Sequence, residues 1–125
     1  MMLDTNAVSA MAKRDPAFLK RIERIDHLVL PFISVAEFHY GLLGSNRPDA
    51  GLALIRELSR ILPVLFPDLT SIGHYAWVAD HLKRKGRVIP HNDIWTAALA
   101  RQHSLPILSR DRHFDFIDGM DRLEW

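Results

Sequence analysis

Short apolar runs alternate along the chain with longer stretches whose apolar residues recur every three or four positions. Each short run is bounded by polar residues or proline, which is typical of a buried strand rather than a helix. Five strands are predicted on this basis: Met1–Leu3, His27–Leu30, Val64–Phe66, Pro106–Ser109 and a final edge strand at Arg122–Trp125.

The stretches between these strands have the spacing of amphipathic helices. The predicted helices are Ala7–Lys13, a segment starting at Asp15-Pro16, Ser34–Gly44, Leu52–Ile61, a segment from Asp68–Ser71 to Gly86, and Asp93–Gln102. No Asn-Gly hairpin signal appears between strands. Alternating strands and helices predict an α/β fold, with a mostly parallel central sheet and helices on both faces. We expect one domain over residues 1–125.

Composition narrows the function classes without choosing one. The chain has 125 residues, no cysteine and a formal net charge of +1. The absence of cysteine excludes disulfides, thiolate metal sites and cysteine nucleophiles, and it fits a reducing compartment. No apolar run approaches the roughly 20 residues that span a bilayer. Asp4 interrupts the start of the chain, so no signal peptide is expected, and we predict a cytoplasmic protein without membrane contact.

Four acids follow predicted strands or begin predicted helices. Asp4 follows the first strand, Glu37 lies in the first turn of the third helix, Asp93 begins the sixth helix, and Asp111 comes two residues after the fourth strand. Ligands of open α/β sheets bind at the carboxyl ends of strands. Taken singly, each acid has an ordinary explanation: Ser34 and Glu37 fit a capping box, and the others suit helix starts or loops.

Four acids at the same edge of the predicted sheet indicate a metal site. Converging carboxylates repel one another and cannot all stay ionised near neutral pH without a cation. Oxygen ligands without cysteine or a paired-histidine motif suit Mg²⁺ or Mn²⁺ rather than Zn²⁺. Such a cation polarises a phosphoryl oxygen, so the pattern favours phosphodiester hydrolysis with one or two metal ions.

Four segments also resemble the successive motifs of one family. They are Leu3–Asn6, Ile33–Gly41, Asn92–Ala98 and Leu108–Phe114. Their order and spacing resemble those of PIN domains and, more narrowly, of the VapC toxins of bacterial type II toxin–antitoxin pairs. The resemblance implies a Mg²⁺- or Mn²⁺-dependent endoribonuclease with a PIN-like (Rossmann-like) α/β/α sandwich. It also implies an RNA substrate, a homodimer and inhibition by a VapB-like antitoxin.

The resemblance assigns site residues position by position. The matching acidic quartet is Asp4, Glu37, Asp93 and Asp111, and the supporting polar residues are Asn6 and Ser109. The last acid varies in the family, so Asp115 stands as an alternative to Asp111. The first strand is shorter than in most family members.

Basic residues and histidines lie next to the candidate acids. Arg110 and Arg112 flank Asp111, and we predict that they contact RNA phosphates. His91 and His113 lie close in sequence to Asp93 and Asp111, so either could transfer a proton.

Two further questions stay open at this point. The apolar surface around Phe38, Tyr40, Leu42 and Leu54 could receive an antitoxin helix, but self-association or simple core packing gives the same pattern. The competing function is a catalytically inactive PIN-like RNA-binding or scaffold protein. A phosphotransfer enzyme with Asp4 as nucleophile is less favoured, because a haloacid-dehalogenase-like site has a second acid where this chain has Asn6.

Overall fold

The computed structural model describes all 125 residues and is organised around a parallel sheet of two-residue strands. The strands are β1 (Met2–Leu3), β2 (Leu30–Pro31), β3 (Val64–Leu65), β4 (Ile107–Leu108) and β5 (Arg122–Leu123). β1, β4 and β5 form one parallel ladder, and β2 pairs with β3. A parallel bridge between Met2 and Val29 joins the two ladders, so the strand order is β3-β2-β1-β4-β5. β1 therefore lies at the centre.

Successive residues of the central strands face opposite sides of the sheet, as the period of two requires. Met2 and Ile107 lie in one hydrophobic cluster, whereas Leu3 and Leu108 lie in the other. All four side chains are fully buried. Burial on both faces explains why these runs are continuously apolar instead of alternating with polar residues.

Six α-helices and one 3₁₀ helix cover the two faces. They are α1 (Thr5–Ala12), α2 (Pro16–Ile22), α3 (Phe32–Leu42), α4 (Pro48–Ile61), α5 (Leu69–Arg84), α6 (His91–Gln102) and the 3₁₀ helix Arg112–Phe116. Helices α1 to α4 pack on the Leu3 face, and α5, α6 and the 3₁₀ helix pack on the Met2 face. The predicted α/β/α sandwich is confirmed. No helix combines the length and apolar character needed to cross a membrane.

Several helix starts were predicted too late in the sequence. Four helices begin two to four residues earlier than predicted, at Thr5, Phe32, Pro48 and His91. Proline explains three of these starts, because Pro31 and Pro90 are N-caps and Pro48 occupies the first helical turn. The second strand, in contrast, lies later than predicted, at Leu30–Pro31 instead of His27–Leu30.

The early start of α3 rules out a capping box as the explanation for Glu37. Ser34 lies inside the helix, and its buried hydroxyl has no hydrogen-bond partner. Glu37 consequently lies in the second helical turn and not in the first, so its carboxylate is available for contacts with other elements.

Candidate active site

The parallel sheet delivers the four predicted acids to its carboxyl edge. Asp4 is the N-cap of α1 directly after β1, and Asp111 is the N-cap of the 3₁₀ helix after β4. Asp93 lies in the first turn of α6. Burial raises the pKa of both Asp4 and Asp93, and neighbouring site acids add to the rise: Asp93 and Glu37 at Asp4, and Asp111 and Glu37 at Asp93. The structure therefore brings all four carboxylates together.

Asp4 is the most deeply placed acid of the group, with an exposed fraction of 5%. Its Oδ2 accepts hydrogen bonds from the Ser109 hydroxyl and from the Asn6 amide, both at 2.7 Å. Burial raises the pKa of Asp4 to about 6; the Ser109 hydrogen bond opposes the rise, and the charges of Asp93 and Glu37 add to it. Asn6 and Ser109 thus lie where supporting residues were predicted.

Glu37 is held by two residues that the sequence did not single out. The Thr5 hydroxyl donates to Oε2 of Glu37, and the Asn92 amide donates to Oε1 at 2.6 Å. Each carboxylate oxygen thus accepts one hydrogen bond, which fixes the plane of the group. The only indication in the sequence was that each donor lies next to a candidate acid: Thr5 follows Asp4, and Asn92 precedes Asp93.

Asp93 and Asp111 share one histidine. Nδ1 of His113 lies 2.8 Å from Oδ2 of Asp93 and 3.1 Å from Oδ1 of Asp111. The ligand atoms of these three residues all lie within 4.8 Å of one another. Burial raises the pKa of Asp93, against the effect of the His113 hydrogen bond. His91, by contrast, bonds the Tyr75 hydroxyl through its own Nδ1 at 2.7 Å.

The backbone fixes the loop that carries Asp111. The Asp111 N–H donates to the Ser109 hydroxyl, and the His113 N–H donates to Oδ1 of Asp111, each at 2.9 Å. The Arg110 N–H donates to the Asn6 side-chain oxygen at 3.1 Å. This loop is therefore tied both to the residues that hold Asp4 and to the start of the 3₁₀ helix.

Asp115 does not belong to the cluster. Both of its carboxylate oxygens bond the guanidinium of Arg122, at 2.6 and 3.0 Å. This pairing holds the pKa of Asp115 below its usual value. Of the two acids left open by the sequence, the geometry favours Asp111 as the fourth member of the site.

The two arginines beside Asp111 have different surroundings. The Arg110 guanidinium lies over the Trp125 ring, 4.6 Å from its centroid, and contacts the Trp125 carbonyl and the Asp15 carboxylate at 3.3 and 3.5 Å. Arg112 is exposed and forms no ion pair within the chain. Phosphate contact stays a prediction for both residues, and Arg112 has the freer guanidinium.

The four site acids lie close together without a lysine or arginine side chain to neutralise them. Of the other acids in the chain, six pair with lysine or arginine: Asp15, Glu57, Asp80, Asp115, Asp118 and Glu124. None of the four site acids does so, and the charges of neighbouring site acids add to the effect of burial in raising the pKa of Asp4 and of Asp93. Adjacent carboxylates without a lysine or arginine partner fit a divalent metal with oxygen ligands, such as Mg²⁺ or Mn²⁺.

Comparison with known proteins agrees with this geometry. The PIN domain family model matches residues 1–120. Ribonuclease VapC1 of Haemophilus influenzae (strain R2866) is 30% identical over 129 residues, covering 99% of this chain and 96% of that protein.

Two solved structures with comparable coverage extend this similarity. VapBC-1 from nontypeable Haemophilus influenzae superposes with a TM-score of 0.85 at 29% identity, covering 99% of this chain and 96% of that one. VapBC-5 of Mycobacterium tuberculosis, described as a member of the VapBC family of toxin-antitoxin systems, superposes with a TM-score of 0.77 at 25% identity, covering 98% and 94%. The chain therefore belongs to the PIN-domain family, in its VapC branch.

Proposed function

We propose that this chain is a Mg²⁺- or Mn²⁺-dependent endoribonuclease of the cytoplasm and the toxin of a VapBC-type pair. The observation that carries the proposal is the group of four carboxylates at one sheet edge without a lysine or arginine partner. The relative named ribonuclease VapC1 supports RNA as the substrate. The family and the site thus point to the same chemistry from independent observations.

The acids differ in how they could hold the metal. Asp93 and Asp111 lie side by side, so both could contact one ion. Asp4 has one oxygen occupied by Ser109 and Asn6, which leaves the other for the metal or its water. Glu37, with a donor on each oxygen, suits contact through water. The bound cation would polarise the scissile phosphate and favour its attack by water.

The surrounding residues keep this arrangement in place. Ser109 and Asn6 orient the Asp4 carboxylate, and Thr5 and Asn92 orient that of Glu37. Because the donors are fixed before substrate arrives, little reorganisation is needed on binding. Arg112, exposed beside the site, would contact the RNA backbone.

A groove beside the site supports an antitoxin partner. It encloses about 750 Å³ between α1, α3 and α4, with Phe38, Leu42 and Leu54 in its lining and Glu37 at its edge. A groove that combines apolar and charged residues in this way suits an amphipathic helix or an extended segment. We propose that a VapB-like antitoxin occupies it and thereby blocks the site.

Apolar surface beside the edge strand β3 supports the proposed homodimer. β3 is an edge strand, and Ile61 and Phe66, which line one shallow pocket beside it, have exposed fractions of 62% and 69%. Contiguous exposed apolar residues are uncommon on monomers and mark association surfaces. Sedimentation of the purified chain tests this point, and a monomer at micromolar concentration would contradict it.

The alternative of an inactive scaffold is less well supported. Loss of one acid would leave the fold intact and remove the chemistry, yet all four are present and adjacent. The decisive experiment measures cleavage of a mixed RNA pool by purified protein, with EDTA, Mg²⁺ or Mn²⁺. We expect cleavage only with metal, and none by the Asp4→Asn and Asp93→Asn variants. Asp80→Asn is the matched control, because Asp80 pairs with Arg84 on an exposed helix surface. Cleavage by Asp4→Asn at the wild-type rate would refute the proposal.

A further inference from the structure

We propose that His113 is a nitrogen ligand of the divalent metal and gives the site a preference for Mn²⁺ over Mg²⁺. The inference rests on the proposed metal-dependent function and extends it, because the sequence pattern predicted oxygen ligands alone. Its starting point is the placement of one imidazole nitrogen between two acids of the cluster.

The distances around His113 Nδ1 fit shared coordination. An octahedral ion with bonds of about 2.1 Å has neighbouring ligand atoms about 3.0 Å apart. Nδ1 lies 2.8 Å from Asp93 Oδ2 and 3.1 Å from Asp111 Oδ1. One ion could therefore contact all three atoms with only small side-chain movements.

Hydrogen bonding alone cannot satisfy His113 Nδ1 and both of its neighbouring carboxylates at once. Nδ1 carries at most one hydrogen, and it faces oxygens of two separate carboxylates at similar distances. A single hydrogen points well at only one of them. A cation bound by Nδ1 and both carboxylates would engage all three groups at once.

The position of His113 is also fixed by its backbone. Its N–H donates to Oδ1 of Asp111 at 2.9 Å at the start of the 3₁₀ helix. The His113 side chain has an exposed fraction of 38% and that of Asp111 one of 34%, so solvent reaches both side chains. A ligand with this placement leaves room for the water molecules that complete an octahedron.

The chemistry of imidazole gives the metal preference. Imidazole nitrogen binds transition-metal ions well, whereas Mg²⁺ prefers oxygen ligands and retained water. Mixed carboxylate and imidazole coordination therefore favours Mn²⁺ relative to a site of carboxylates only.

The direct test is the electron spin echo envelope modulation of the wild-type protein loaded with Mn²⁺. We expect a ¹⁴N coupling of directly bound imidazole, which disappears in His113→Gln. Isothermal titration should show Mn²⁺ affinity falling roughly tenfold or more in this variant, with a smaller loss for Mg²⁺. His91→Gln is the matched control and should keep the coupling, because His91 bonds Tyr75 instead.

The outcomes separate this inference from the proposed function. Mn²⁺ that binds without a ¹⁴N coupling, with an unchanged Mn²⁺/Mg²⁺ affinity ratio in His113→Gln, would overturn the ligand assignment and leave the nuclease proposal standing. Failure of wild-type protein to bind either ion would overturn both. If His113→Gln does not fold, as circular dichroism would reveal, the wild-type spectrum still decides.

Discussion

Replacing Asp4 by asparagine should abolish cleavage and also stabilise the metal-free protein at neutral pH. Asp4 is 5% exposed, and burial raises its pKa from 3.8 to about 6. Between these values the native state keeps a proton that the unfolded chain has already lost. Stability therefore falls as pH rises through this window and stays low above it. Each tenfold change in proton affinity is worth about 1.4 kcal/mol, so ionised Asp4 costs about 3 kcal/mol at neutral pH.

Asparagine removes the charge and keeps most of the local hydrogen bonding. Its side-chain oxygen can accept from Ser109 and Asn6 as the Oδ2 of Asp4 does. We expect urea unfolding in EDTA to give similar free energies for variant and wild type near pH 4. At pH 7.5 the variant should be more stable by about 3 kcal/mol, because only the wild type carries the buried charge.

Metal should cancel most of this difference in stability. A ligand at 100 times its Kd adds about 2.7 kcal/mol to the free energy of unfolding. Mg²⁺ should therefore stabilise wild type and leave Asp4→Asn nearly unchanged. Asp118→Asn is a control whose effect on stability at pH 7.5 should have the opposite sign. Lys85 holds the pKa of Asp118 below its usual value, so the charged form of Asp118 stabilises the folded protein and its removal should destabilise it. If Asp4→Asn has the wild-type pH dependence in EDTA, or is less stable at pH 7.5, the reasoning about the buried charge is refuted.

Three further predictions test packing, positioning and RNA contact. Gly73→Ala in α5, where an added Cβ has no neighbour within 4 Å, should raise the free energy of unfolding by about 0.5–1 kcal/mol. Gly51→Ala in α4 has the same helix gain but forces the tip of the Leu42 side chain to move, so its net effect should be a loss of up to about 2 kcal/mol. Equal effects of the two substitutions in urea unfolding would contradict this packing. Asn92→Ala removes one donor from the glutamate carboxylate and should lower kcat/KM by roughly tenfold to a hundredfold at a stability cost of about 1 kcal/mol, so full activity would count against the positioning role. Arg112→Ala should reduce the slope of log affinity for single-stranded RNA against log salt by about 0.7, and an unchanged slope would exclude a phosphate contact.

The α/β class and the order of elements could be predicted because they depend on patterns that are local in sequence. Met2-Leu3 and Ile107-Leu108 read as buried strands because both faces of the sheet are covered. The residues at which strands and helices begin and end depend instead on hydrogen-bond partners that are distant in sequence. β1 is limited to two residues by its pairing with β4, and Asp4 already caps α1.

The site acids and the two polar residues that hold Asp4 were identifiable from the sequence, but the groups that hold Glu37 were not. Asp4 and Glu37 stand out by residue type and position. The donors Thr5 and Asn92 meet at one carboxylate only after α1, α3 and α6 pack together. Sequence separation hides such contacts, since Asn92 and Glu37 are 55 positions apart.

The choice between Asp111 and Asp115 shows most clearly what tertiary structure adds. Asp111 and Asp115 follow the end of β4 by three and seven residues, and local sequence could not separate them. The deciding group is Arg122, which lies opposite Ile107 in the pairing of β4 with β5. From that position its guanidinium binds Asp115 and also donates to the Ser109 carbonyl at 2.8 Å. The pairing of β4 with β5 therefore places Arg122 where it binds Asp115 outside the site. The same arginine stabilises the loop that carries Asp111.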